Sequence, residues 1–289
     1  MGRGKYYSWW RKAGEGFEAA IYREGWAARA AFFSGLQGQL YIDRREFVLP
    51  HFFGDANAGN TAALRLVFAS DLHAGPLTDS RLFDAMHDAI VAFEPHLVLF
   101  GGDYVSLHQR HVSSLAARLG HLRIPLGMYG VFGNHDLWLD NDFIERQLAA
   151  AGVQMLVNRS LRLPAPYHNI SICGLDEPGT GVPDAVATFD AAAPRRLLLM
   201  HSPLGLKFVK DFSFDLAFCG HTHGGQIALP NGRPIVLPTG SGERRYASGY
   251  FHLPSGGQLL ASRGVGMSDL PIRLFAQSEI HLCTIRAGA

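Results

Sequence analysis

The sequence predicts an α/β fold built on a mostly parallel sheet, and three observations carry that prediction. From residue 64 onward, short apolar runs alternate with stretches of helical spacing. The apolar runs are continuous rather than alternating, as in strands buried on both faces. Residues able to do chemistry recur at the ends of those runs, the edge where open α/β sheets bind ligands.

The elements follow in order. "LRLVFAS" reads as a buried strand, and "TDSRLFDAMHDAIVAF" as a helix with a Thr/Asp start. "HLVLFGG" is a second strand, "HVSSLAARLGHL" a helix and "LGMYGVFG" a third strand. "NDFIERQLAAAG" is a helix closed by glycine, and "RRLLLM" and "DLAFCG" are further buried strands. After residue 226 the signals change to short strands between Gly and Pro turns: "RPIVLP", "GYFHLP", "GQLLASR" and "EIHLCTI". That portion predicts a second, more antiparallel sheet. The expected organisation is an aromatic and basic helical extension over 1–50, a Gly/Asn/Ala-rich linker over 51–63, and one domain over 64–289.

Composition narrows the function classes. The chain has 289 residues, 47% hydrophobic and 18% charged, which is ordinary for a folded protein. A net charge of +1 with scattered Lys and Arg argues against a dedicated nucleic-acid binder. Three widely spaced cysteines, Cys173, Cys219 and Cys283, with no CxxC, predict free thiols and a reducing compartment. There is no apolar run of about 18 residues to span a membrane, and "MGRGKYYSWWRK" lacks the apolar centre of a signal peptide. The expected location is cytoplasmic, with the inner face of the membrane open as a site of contact.

That contact would come from residues 1–50. On a helical wheel Trp10, Phe17, Ile21 and Phe32 share one face, and Tyr22, Trp26 and Phe33 the opposite one. Two readings stand: a helical extension packed on the main domain, or an interfacial membrane anchor, since Trp with Lys/Arg suits the headgroup zone.

The strand ends hold the candidate site. "SDLHAG" places Asp71 and His73, "GGDYVS" places Asp103, and "GNHD" places Asn134, His135 and Asp136. "MHSP" places His201, and "GHTHGG" places His221 and His223. Asp71 and His73 are two apart, so an extended chain would turn both to one side, and His221 and His223 share that spacing. Carboxylate, amide and imidazole together suit borderline divalent metals such as Mn, Fe or Zn. Singly each block could be a turn. Five in order, each ending a strand, are hard to read as accident.

This set resembles the calcineurin-like metallophosphoesterase superfamily, whose pattern is DxH, GD, GNH[DE], a lone His and GHxH, over residues 64–286. The ending "SRGVGMSDLPIRLFAQSEIHLCTI" is similar to the bacterial phosphodiesterase branch of the YaeI and YkuE type. The resemblance implies a four-layer α/β/β/α sandwich with a two-metal centre at the strand ends. It implies that Asp71, His73 and His223 hold one metal, Asn134, His201 and His221 the other, and that Asp103 bridges them. Two ions about 3.5–4 Å apart can share a hydroxide that attacks phosphorus, with His135 as general acid at the leaving oxygen.

The chain departs from the protein phosphatases of that superfamily. They carry GDxVDRG, where Ser106 stands here in place of the second Asp, and GNHE, where Asp136 stands here. Both departures argue against a phosphoprotein substrate and leave the orienting partner of His135 open. Tyr104, Leu107, Trp138 and Leu139 are candidates for the cleft mouth. Arg263 and the pair Arg244–Arg245 are candidates to meet a substrate phosphate; Tyr104 and Arg263 head the substrate-binding expectation. The expected activity is hydrolysis of a phosphodiester or pyrophosphate bond. Some relatives in the resembled superfamily hydrolyse UDP-2,3-diacylglucosamine, which makes a lipid-linked substrate the leading expectation. The alternatives are a broad phosphodiesterase acting on soluble nucleotides and a catalytically silent metal-binding scaffold.

Overall fold

Alternate residues of each apolar run go to different layers. In the strand Ala63–Ala69 (β2), Leu64, Leu66 and Phe68 pack into one cluster and Val67 and Ala69 into another. In Arg195–Leu199 (β8), Leu197 and Leu199 join the first cluster and Leu198 a third. The period-2 pleat thus builds three apolar layers from continuous runs. The computed structural model describes residues 16–18, 20–50, 52–53, 63–237, 244–254 and 256–287.

The first sheet holds β1 (Tyr41–Leu49), β2, β3 (Leu97–Phe100), β4 (Met128–Gly130), β5 (Val153–Met155) and β12 (Glu279–Ala287), in the order β1-β12-β2-β3-β4-β5. Strands β2 to β5 run parallel, and β12 is antiparallel to β2. The second sheet holds β6 (Arg159–Arg162), β7 (Ile170–Gly174), β8, β9 (Leu216–Cys219), β10 (Gly249–His252) and β11 (Gln258–Ala261), in the order β10-β11-β9-β8-β7-β6. Helices Arg81–Phe93 (α2), Val112–Leu119 (α3) and Asn141–Ala150 (α5) cover the first sheet through Phe83, Met86, Leu115, Ile144 and Leu148, and the short α4 (Asn134–Trp138) carries Asn134 and His135. Phe189 of α6 (Ala185–Phe189) packs on the outer side of the second. The architecture is the expected α/β/β/α sandwich.

Three expectations are corrected. The second sheet begins at β6, not after residue 226, and it is mainly parallel, with antiparallel pairs only at its edges. "EIHLCTI" belongs to the first sheet, and "RPIVLP" forms no strand over its described residues, since proline at both ends removes ladder donors. The helical reading of 1–50 fails at its end. Tyr41–Leu49 is a strand whose period-2 burial of Asp43, Phe47 and Leu49 was hidden among its charges.

The expected linker also begins inside the core: Phe52 and Phe53 are buried between the sheets, while 54–62 lie outside the described residues. Helix α1 (Trp26–Phe33) packs through Ala27, Ala28 and Ala31 and leaves Trp26 and Phe33 exposed. Trp9 and Trp10 lie outside the described residues. No helix among the described residues is long and apolar enough to cross a membrane.

Candidate metal centre

Loops after β2, β3 and β4 in one sheet, and after β8 and β9 in the other, meet at the carboxyl edge. They bring all seven expected donors together. His73 Nε2 stands 3.1 Å from His223 Nε2, and His223 Nε2 stands 3.5 Å from Asp71 Oδ1. His201 Nε2 stands 3.1 Å from Asn134 Oδ1 and 3.0 Å from His221 Nδ1. Between the two groups lies Asp103, whose Oδ2 is 3.4 Å from His73 Nε2 and 3.4 Å from His201 Nε2.

The backbone reaches this arrangement by a route the spacing did not predict. Asp71, His73, Asp103, His221 and His223 all have positive φ, between 45° and 73°. The DxH and HxH pairs therefore converge through left-handed turns, not through extended chain, which corrects the earlier reading. Asp and His tolerate that region better than most residues, at about 1–2 kcal/mol each. Gly220 is needed beside them, because a Cβ there would overlap the Asp71 carboxylate and Ser70. Thr222 turns away from the centre and donates to the Ala247 carbonyl.

Neighbours orient the donors. His201 Nδ1 lies 2.7 Å from the Gly101 carbonyl, so that nitrogen carries the proton. Its Nε2 then faces an amide oxygen, a carboxylate oxygen and the ring nitrogen of His221. Such a position calls for a second proton or a cation. Burial opposes the charge, yet Asp103 and then Asp71 raise His201 to about 10. Burial lifts the Asp71 carboxyl to about 6 and holds His73 down at about 4. Burial likewise pulls Asp103 upward, but the charges of His201 and His135 carry it well below the usual carboxylate range. Converging lone pairs on buried oxygen and nitrogen donors fit a divalent cation.

Several partners escaped the sequence reading. Ser106, which stands where the phosphatases carry Asp, places its Oγ 2.8 Å from His73 Nδ1. Asp136 is fully buried and accepts from the backbone N–H groups of Asp103, Tyr104 and Gly133 at 2.8, 2.9 and 2.9 Å. It thereby ties the β3 and β4 loops together. The buried Arg273 guanidinium lies 3.2 Å from His223 Nδ1 and donates to the Arg263, Gly266 and Ala276 carbonyls. Glu177 is buried in the cavity wall beyond β7 and accepts from Gly179 N and Thr180 Oγ1. The acids of "ISICGLDE" could have signalled it, had that run been read as a strand.

His135 is half-buried at the edge of the centre. Its backbone N–H donates to Asp103 Oδ1 at 2.8 Å, and its ring packs edge-on to His73 and tilted against Trp138. Beside it opens a cavity of about 560 Å³, with a wall of Trp138, Leu204, Ile227, Ile235, Val236 and Leu270. Two expected substrate contacts are corrected. Tyr104 is fully buried against Phe100 and Met155, because its side chain points into the helix-covered core. Arg263 does not line this cavity; its guanidinium is held by Glu279 at 2.9 Å. Leu139 packs on the core, and Leu107 faces a different cleft.

Comparisons with known proteins show the family to which the chain belongs. The family model described as calcineurin-like phosphoesterase matches residues 64–225. The chain is 30% identical to the metallophosphoesterase YkuE of Bacillus subtilis, over 77% of this chain and 79% of that protein. It is 30% identical to the phosphodiesterase YaeI of Escherichia coli, over 77% of this chain and 82% of that one. A solved archaeal phosphodiesterase aligns over 68% of this chain and 82% of its own, with 11% identity and a TM-score of 0.37.

Proposed function

Because the chain belongs to the calcineurin-like phosphoesterase family and is a hydrolase acting on phosphoester bonds, we propose that it uses two divalent ions to cleave a phosphodiester or diphosphate bond in a substrate with an apolar part. The observation that carries the two-ion reading is Asp103 Oδ2, equally distant from His73 and His201. Asp71, His73 and His223 would hold one ion and Asn134, His201 and His221 the other, with Asp103 shared. Mn, Fe or Zn suits this donor set. When bound, the ions supply Lewis acidity toward the phosphoryl oxygens and the water-derived nucleophile.

The chain's own groups do the rest. Asn134 contributes a neutral oxygen, which limits the negative charge facing an anionic substrate. His135, anchored through its backbone on Asp103 and flanked by Trp138, gives its proton to the leaving oxygen. The apolar wall receives the substrate's apolar part. Ile235 and Val236 there are 51% and 67% exposed, more than such residues ordinarily show, which supports a lipid-linked substrate such as UDP-2,3-diacylglucosamine. Exposed Trp26 and Phe33 support peripheral contact of residues 1–50 with a membrane surface.

The test is turnover with Mn²⁺ on bis-p-nitrophenyl phosphate, p-nitrophenyl phosphate, cyclic AMP and UDP-diacylglucosamine. Preference for the last supports the lipid reading. Preference for cyclic AMP favours the soluble-nucleotide alternative, and no turnover on any of them counts against the lipid and nucleotide readings alike. Liposome flotation of Trp26→Ser/Phe33→Ser checks the membrane contact, which fails if binding is unchanged.

A further inference from the structure

The loops that carry His73 and Asp103 do not end at the metal centre. They stay paired beyond it through Ala74 and Val105, and part at Gly75 and Leu107. There they form one wall of a separate cleft of about 850 Å³, which shares no lining residue with the substrate cavity. The turn 23–25, helix α1, residues 76–83 leading into α2, and residues 108–118 through the first part of α3 complete its described lining.

Five guanidinium groups line it: Arg23, Arg29, Arg81, Arg110 and Arg118. Among the described residues, two lining carboxylates oppose them, Glu24 and Asp79. Asp79 is taken by a two-pronged bond from Arg81, at 2.7 and 2.7 Å, and Glu24 lies 3.6 Å from Arg23. Arg118 is paired with Asp84, outside the lining, at 2.8 Å. Arg29 and Arg110 form no ion pair within 4.0 Å among the described residues, although the charge of Arg29 still reaches Asp79; Arg29 Nη1 rests on the Glu24 carbonyl. The first residues of α2 also line the cleft, so that helix start adds partial positive charge.

We propose that this cleft is a second anion site that binds a phosphate-bearing group, apart from the substrate cavity. Planar guanidinium groups from two separate elements, Arg29 on α1 and Arg110 beyond the β3 loop, suit phosphate oxygens better than point charges would. The cleft has room for more than one free phosphate, so a diphosphate or a phosphate carried on a larger body fits it. Exposed Trp26 and Phe33 share α1 with Arg29, so a lipid headgroup and a soluble phosphate ester are both chemically suited.

Calorimetry with methylenediphosphonate, whose P–C–P link a phosphoesterase does not cut, tests the site on the full-length, metal-loaded protein. Two binding events are expected. His221→Ala should remove the one at the metal centre. Arg29→Ala/Arg110→Ala should weaken the other about tenfold or more. Arg110→Glu alone should weaken it in the same direction, with the melting temperature confirming that each variant is folded. A single event that His221→Ala abolishes and the arginine variants leave untouched overturns the proposal. Competition by phosphatidylglycerol vesicles, but not phosphatidylcholine vesicles, identifies a headgroup; no competition identifies a soluble phosphate. The site stands in both cases.

Discussion

The His135 backbone N–H donates to Asp103 Oδ1 and its ring packs against His73 and Trp138, while the other oxygen of that carboxylate faces both groups of donors. Its ring offers an atom within 4.8 Å of those of His73 and Asp103, so metal content and turnover have to be read side by side. His135→Ala should keep its metal content by mass spectrometry. It should lose about 10²–10⁴-fold in turnover on an alkyl phosphodiester, and far less on a nitrophenyl ester, whose leaving group needs no proton. An equal loss on both would remove the general-acid role. Asp136 acts differently, because it accepts from three buried N–H groups. Asp136→Ala leaves those donors unsatisfied and should lower unfolding stability by about 3 kcal/mol or more in denaturant melts. A change under about 1 kcal/mol would mean the loops are held otherwise. The donors' identities were legible because motif order and spacing survive in sequence. Their left-handed backbone was not, since Asp and His carry no marker of φ as glycine does. Tyr104 was misread for a related reason: directly after Asp103 the chain turns, and the next side chain enters the core.

Strands were legible where their apolar runs were unbroken, as in β2, β3, β8 and β9. The short β5 and the polar β6, "RSLR", carry too little apolar signal to stand out. Strand β1 was hidden because its inward residue is Asp43, which needs a partner from a strand more than two hundred residues away. That partner is the buried His281 of β12, with Nδ1 at 2.9 Å from Asp43 Oδ2 and Nε2 at 3.2 Å from Glu279 Oε1. Arg45 adds to Asp43, and Arg263 to Glu279. Burial would lower His281, but the bonds to Asp43 and Glu279 raise it. Burial would raise both carboxyls, but bonds to His281 lower them. The imidazolium's stabilisation is thus complete below the unfolded value of about 6.5 and is lost as pH rises through the elevated folded value. The carboxylates' share is present above about pH 4.5 and is lost as pH falls. The melting-temperature gap between wild type and His281→Gln should therefore be widest near pH 5–6 and narrow toward alkaline pH. A gap independent of pH would show that the three groups do not titrate together.

At the scale of the molecule, the centre is built by loops from both sheets, so ions held there also fasten one half of the sandwich to the other. Chelation should lower the melting temperature by about 5 °C or more, as expected when tight ligands leave a domain of this size. An unchanged value would mean that the loops stand without ions. The sandwich was legible from the alternation of runs and from the family resemblance. The division between sheets was not, because pairing across long sequence distance leaves no local trace. Strand β12 lies between β1 and β2, parallel to the first and antiparallel to the second. During synthesis β1 and β2 emerge early, yet the slot between them is filled by residues 279–287. Until a ribosome releases this segment, β2 keeps one open edge and β1, whose one strand partner is β12, keeps its edge unpaired. Those edges are the natural points for a chaperone to shield, and a chain stalled before residue 279 would expose them both.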